Sequence, residues 1–364
     1  MFNIRLFLSI SLLFRFTSSS PNSKSSFPRL ILIHRHGDRT PITPLLDQEY
    51  WASQLPQPEH IKRLSEGVNI VRGEESNSHL ASGSGCWGKL TMTGLLQMVN
   101  LGQTLQEIVS SHGYLPSDVR WVSTDFQRTL ESLLGVRAGF EGESGLEEIE
   151  VDATRTNELI PDPQPRLTEK QAELERDIVN SEDFKAWDGE HEADRLRLSE
   201  VLSPLLSPSA STVSFGVGEE SKSPPPGLQW AKLSEVLKCL STRDLLPPLV
   251  SPDDVVLAST HASKRWFKIL DLPSMKSSLS KSALPLLRRW AVRNKVTVVS
   301  AHDSTLIMYL ALLGCEKPEV WPGYGAYLEI RVEEGGMFEV RLNGDKVGGG
   351  EGLDLGEAEG GGEL

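Results

Sequence analysis

The first sharp pattern in the chain is an apolar run, Leu30 to Ile33, that ends abruptly in His34-Arg35-His36. A short, unbroken apolar run bounded by polar residues predicts a strand buried in a sheet. Two more runs follow the same logic: Val119 to Val122 ahead of Ser123-Thr124, and Val296 to Val299 ahead of Ser300. Leu95, Val99, Leu105 and Val109 recur at helical spacing and predict a helix over 93–109. Further helices are predicted over 125–140, 169–179, 228–240 and 304–313. Alternation over 327–332 and 337–342, joined through Glu334-Gly335-Gly336, predicts a hairpin. Together these elements imply an α/β class with a mainly parallel sheet flanked by helices.

The intervening stretches are weaker in pattern. Residues 47–88 are rich in Pro, Ser, Gly and Glu and read as a long irregular insertion. Residues 150–250 are charged, without a strong strand signal, and read as a helical cap insertion with a flexible loop near 203–226. The catalytic core is then expected over 28–149 and 251–347, with a disordered Gly/Glu tail over 348–364. Residues 1–27 read as a targeting leader: Arg5, then the apolar run Leu6 to Phe14, then Ser18-Ser19-Ser20. That order suits secretory entry, while Arg15, the serines and the missing acids also suit a mitochondrial or other organellar transit peptide.

Charge changes what a site must look like. The 364 residues carry a formal net charge of −13, which argues against nucleic acid as a partner. An acidic protein repels an anionic substrate at long range, so a phosphate site must be built from local cations. The three cysteines, Cys86, Cys239 and Cys315, are too few and too scattered for a disulfide framework or a zinc knuckle. They are expected as buried free thiols, with one bridging pair left open.

Such cations stand where the three predicted strands end. After the first comes Arg35-His36-Gly37-Asp38-Arg39-Thr40-Pro41, after the second Ser123-Thr124 with Arg128, and after the third Ala301-His302-Asp303. Ligands of open α/β sheets bind outside the carboxyl ends of strands, so one shared sheet would bring these groups together. Arg35, Arg39 and Arg128 offer planar forks matched to phosphoryl oxygens, and His302 a further donor. Neutral His36 is a competent nucleophile, Gly37 would let the backbone approach the anion, and Asp303 is placed as a general acid. Asp38, if turned inward, would weaken the local positive potential. A metal site from His34, His36, His302 and Asp303 lacks ligand spacing, and three arginines would repel the cation, so no metal or cofactor is expected. A silent phosphate-ligand binding protein and a mutase remain as alternatives.

The RHGxRxP string after a strand, paired with a late His-Asp, resembles the histidine acid phosphatases, branch 2 of the histidine phosphatase superfamily. That family includes acid phosphatases and phytases, and the resemblance spans roughly residues 28–345. Gly88-Lys89-Leu90-Thr91 and Val320-Trp321-Pro322 are similar to its lysophosphatidic acid phosphatase (type 6) branch. The resemblance implies a phosphoglycerate mutase-like fold with a smaller helical cap. It also implies that His36 is phosphorylated, that Arg35, Arg39, Arg128 and His302 hold the phosphoryl group, and that Asp303 donates the proton. The implied substrate is a phosphorylated small molecule or a lysophospholipid, the latter with membrane contact through the lipid; a phytase or sugar-phosphate phosphatase is the alternative. Trp51 and Trp87 are expected first as packing residues, with leaving-group contact as the alternative for these two. His34 is expected on the other face of its strand from His36, as a core histidine, and His261 in a surface loop.

Overall fold

The computed structural model describes residues 28–73, 85–142, 148–161, 169–207 and 227–351. The expected leader and most of the expected flexible loop and tail lie outside the described residues. Among those described, eight strands form one sheet. They are β1 (Arg29–Arg35), β2 (Val68–Arg72), β3 (Val119–Ser123), β4 (Ile149–Ala153), β5 (Val296–Ala301), β6 (Tyr327–Val332), β7 (Phe338–Leu342) and β8 (Asp345–Gly350). Their order is β2-β4-β3-β5-β1-β6-β7-β8. The first five in that order run parallel, and the last three add antiparallel neighbours, including the expected hairpin.

The apolar run of β1 explains why it sits inside the sheet. Leu30 and Leu32 pack on one face against Met98, Leu105, Val136 and Phe140, from helices Met92–Ser111 and Gln127–Glu141. Ile31 and Ile33 pack on the other against Leu287, Trp290, Leu306 and Leu310, from helices Pro273–Arg293 and Asp303–Leu312. Burying each such side chain contributes roughly 1.5–3 kcal/mol. Helices therefore cover both faces, as a parallel sheet requires.

Several expectations change. Over 47–73 the stretch read as an irregular insertion instead holds helices Gln48–Ser53 and Pro58–Leu64 and strand β2. β2 lies at the sheet edge, where exposed Asn69, Val71 and Arg72 hide the apolar signal of Val68 and Ile70. β4 falls inside the region read as charged cap, because Glu150 and Asp152 alternate with the apolar residues that face the core. β8 takes Gly348 to Gly350 into the sheet, so the tail does not begin at Gly348. The helix Pro252–Leu270 has clear start signals: Pro252 at its first turn, and Ser251 and Asp254 capping each other's backbone N–H. It carries His261, which is a buried residue stacked between Trp187 and Trp230, not part of a surface loop.

A second apolar cluster joins helices Glu192–Leu202 and Trp230–Ser241 through Leu198, Leu202, Leu233 and Leu237. Trp51 and Trp87 belong to it and are only 2% and 7% exposed, so they pack instead of meeting a leaving group. His34 is buried in the core, its Nδ1–H donating to the Arg35 carbonyl at 3.1 Å, and burial lowers its pKa to about 4. Its separation from His36 does not come from strand alternation, since residues two apart share a face; β1 simply ends at Arg35. All three cysteines are buried and free. Among the described residues no helix is long and apolar enough to cross a membrane.

Candidate active site

In the sheet, β5 lies between β1 and β3, so their carboxyl ends meet. The His36 amide donates to the Ala301 carbonyl and the Thr124 amide to the Ser300 carbonyl, both at 3.0 Å. The helix Asp303–Leu312 starts at His302, and the helix Gln127–Glu141 starts one residue before Arg128. Two helix N-termini are thereby added to the same strand ends, with their favourable field for an anion.

His36 is 2% exposed. Its Nδ1–H donates to the Gly37 carbonyl at 2.8 Å, which assigns the proton to Nδ1 and leaves a lone pair on Nε2. Burial, then the charges of Arg128, Arg35, His302 and Arg39, hold its pKa well below the ordinary histidine value. Protonation, which would stop the ring from attacking, is thereby disfavoured relative to an isolated histidine.

The expected partners surround it. Arg35 pairs with Asp303 (Nη2 to Oδ2, 2.7 Å), donates to the Pro322 carbonyl at 2.6 Å, and stacks on the Tyr324 ring at 4.4 Å. Arg39 pairs with Glu235 at 2.7 Å. Arg128 donates to His302 Nδ1 at 3.3 Å, and the His302 ring lies 5.6 Å from that of His36. Thr124 Oγ1 gives its proton to Thr129 at 2.9 Å, so it accepts from His302 Nε2–H at 3.0 Å. All six residues singled out in the sequence, Arg35, His36, Arg39, Arg128, His302 and Asp303, thus form one cluster. Among the described residues, no group of three or more His, Cys, Asp or Glu could hold a metal ion.

Asp303 is held in its charged form. Burial alone would raise its pKa, but the Arg35 guanidinium, the Trp321 Nε1–H donated to Oδ2 at 2.5 Å, and the charges of His302 and Arg39 bring it to about 2. Paired with Arg35 it is a carboxylate, not an acid.

Two local readings need correction. Gly37 does not turn its backbone N–H to an anion, because that group donates to Ser132 Oγ at 3.1 Å. Glycine is required there by packing: a Cβ on Gly37 would strike the Gly94 carbonyl, and a Cβ on Gly94 would strike the backbone of Asp38. Asp38 does face inward, at 1% exposure, but Arg243 pairs with it through both Nη atoms and Thr91 donates to it at 2.6 Å. Its charge is neutralised locally and ties the loop after β1 to two helices. Arg243→Met should leave that carboxylate buried and uncompensated, costing about 3–5 kcal/mol. A drop in the urea midpoint at unchanged slope would register it, and an unchanged midpoint would refute the role.

Glu235, Lys238, Arg243 and Tyr324 were missed from the sequence. The first two stand on a helix, and Arg243 follows just after it, far from the motif in sequence. There, isolated charges read as a solvent-facing side. Trp321 was legible only as part of Val320-Trp321-Pro322.

The family model for the histidine phosphatase superfamily (branch 2) matches residues 27–194. No curated protein sequence matches significantly. Among solved structures, the chain is similar to the phytase from Citrobacter braakii, with 13% identity, 87% of this chain and 84% of that one covered, and a TM-score of 0.55. It is similar to Hafnia alvei phytase in complex with tartrate, with 14% identity, 89% and 85% covered, and a TM-score of 0.56. It is also similar to the Bifidobacterium longum multiple inositol polyphosphate phosphatase complex with inositol hexasulfate, with 12% identity, 91% and 89% covered, and a TM-score of 0.53. At such identities the likeness is one of fold. The family match covers the segment that carries Arg35 to Pro41 and Arg128, and over that segment the chain is similar to the histidine phosphatase superfamily, branch 2.

Proposed function

We propose that this phosphatase cleaves phosphomonoesters by way of a phosphohistidine on Nε2 of His36. The observation that carries the reading is the hydrogen bond from His36 Nδ1–H to the Gly37 carbonyl, which leaves Nε2 unprotonated amid three guanidinium groups. In the first step the Nε2 lone pair attacks phosphorus and the bond to the ester oxygen breaks. Arg35, Arg39 and Arg128 hold the non-bridging oxygens, where charge accumulates, and His302, fixed by Thr124, orients Arg128. The departing oxygen takes a proton from Asp303. In the second step water attacks phosphorus, the P–N bond breaks, Asp303 accepts the water's proton, and orthophosphate leaves.

The low pKa of Asp303 sets a condition on this cycle. Burial pushes it up and Arg35 pulls it down. A bound phosphoryl group competes for the Arg35 guanidinium, so the downward pull weakens and burial prevails. The proton then arrives with the substrate, since a phosphomonoester in mild acid is a monoanion. This favours activity at acid pH.

The phosphorylated alcohol is a separate question. The phytase and inositol polyphosphate phosphatase relatives point towards inositol phosphates. A lysophospholipid lost its expected support when Trp51 and Trp87 proved to be packed in the core. A panel of lysophosphatidate, inositol hexakisphosphate and sugar phosphates ranks the three. For the reaction class itself, the full chain should hydrolyse p-nitrophenyl phosphate in excess EDTA, and vanadate should inhibit. Loss of activity in EDTA that a divalent ion restores would overturn the guanidinium-based reading.

A further inference from the structure

Lys238 stands half-buried on the Trp230–Ser241 helix, one turn beyond Glu235, which holds Arg39. Its Nζ lies 5.2 Å from the centre of the Tyr324 ring, which Arg35 also faces at 4.4 Å and His36 at 5.9 Å. Arg35, Arg39 and Arg243 each have a carboxylate partner, in Asp303, Glu235 and Asp38. Lys238 has none within ion-pair distance among the described residues. The site thus contains an ammonium group that neither the motif nor the reaction steps use, and that lacks an anion.

We propose that Lys238 selects the alcohol half of the substrate, its ammonium receiving a second anionic group borne next to the ester carbon. The assignment rests on the reading of Asp303 as the group facing the ester oxygen. Arg35 and Asp303 are the strongest charged neighbours of Lys238. It approaches from the helix Trp230–Ser241, whereas Arg128 approaches from the helix Gln127–Glu141 that packs on the sheet. With the phosphoryl oxygens on the arginines, the side of the site where Lys238 stands is left to the alcohol. A carboxylate or a neighbouring phosphate would supply the same anionic chemistry.

The charge of this lysine depends on pH. It is faced by Arg35 from β1, Arg39 from the loop after β1, Asp303 from the Asp303–Leu312 helix, Tyr324 from the loop before β6, and Cys239 on its own helix. Burial, then Arg35, lower its pKa to about 7, with Asp303 and Cys239 opposing and Arg39 adding to the fall. Cys239 and Tyr324 are themselves raised by burial and stay neutral in this range. The ammonium is present below that pH in the free site and is lost above it.

The test compares kcat/KM on phenyl phosphate, 2-phosphoglycerate and inositol hexakisphosphate for the full chain, Lys238→Met and Lys238→Arg. At pH 5, Lys238→Met should lose about tenfold or more on the substrates with a second anion and less than about threefold on phenyl phosphate. The loss should appear in KM. Which of the two anionic substrates suffers more tells carboxylate from phosphate. In the wild type the preference for a second anion should fade as pH rises through about 7. In Lys238→Arg, whose guanidinium keeps its charge, the preference should persist. Equal losses on all three substrates, or a preference unchanged in Lys238→Met, overturns the assignment. A wild type inactive on phenyl phosphate would instead refute the phosphatase mechanism itself.

Discussion

Replacing His36 with Ala is expected to abolish turnover of every phosphomonoester, by at least on the order of 10³-fold. The size follows from the absence of a substitute among its neighbours. Arg35, Arg39 and Arg128 are permanently cationic, and His302 already engages Arg128 and Thr124 with its two nitrogens. Water could attack a bound ester directly, but without the covalent step the difficult displacement is no longer divided in two. The substitution also leaves the fold largely alone, because the His36 ring contributes one hydrogen bond, to the neighbouring carbonyl. Circular dichroism and the urea midpoint should therefore stay close to wild type. Rapid quench of the wild type with labelled aryl phosphate should trap a phosphoprotein stable to base and labile to acid, and His36→Ala should trap none. Residual activity within tenfold of wild type, in a folded variant, would sink the assignment.

Asp303→Asn should behave differently, because it removes a proton and leaves the anion clamp in place. Alkyl esters, whose leaving groups need protonation, should lose on the order of 10²–10⁴-fold. Aryl esters with acidic leaving groups should lose much less, and their phosphoenzyme should still be trapped on His36. An Asn amide oxygen in the place of Oδ2 can go on accepting from Trp321 and Arg35, so Arg35 loses the negative charge beside it and the Ser304 N–H loses its acceptor. Freed of its carboxylate, Arg35 becomes more available to an anion, and inhibition by orthophosphate should tighten. Both ester classes falling by the same factor would mean that Asp303 is not the leaving-group acid. Its low pKa beside Arg35 must rise for it to act as a donor. If phosphate binding draws Arg35 away, the bound wild type near pH 5 should show the infrared band of a protonated carboxyl group, and Asp303→Asn should lack it.

Much of the site was legible because its parts are local. Arg35, His36 and Arg39 sit within one short string, and a single turn separates a buried strand from a polar, anion-seeking end. The longer-range part of the inference, that His302 and Arg128 join them, depended on three strands sharing a sheet. It held because each of β1, β3 and β5 is apolar enough to demand burial, and buried parallel strands end together at one edge. Gly37 was read for the wrong reason: an interaction with an anion and a close approach of Gly94 both call for glycine, and only the packing tells them apart.

The sequence by itself determined which segments must be buried strands, where they end, and which residue types wait there. Burial of apolar runs and the chemistry of side chains are properties of short windows. Only the tertiary structure decided the strand order β2-β4-β3-β5-β1-β6-β7-β8, since alternation along a strand is the same whichever neighbour it pairs with. It alone recruited β2 and β4, whose exposed or acidic alternate positions mask the apolar ones. It alone also decided the charge balance of the site. Glu235 on Arg39, Arg243 on Asp38 and the carboxylate-free Lys238 come from helix Trp230–Ser241 and the turn after it. Coulomb energy depends on separation in space and on local burial, and neither can be read from spacing along the chain.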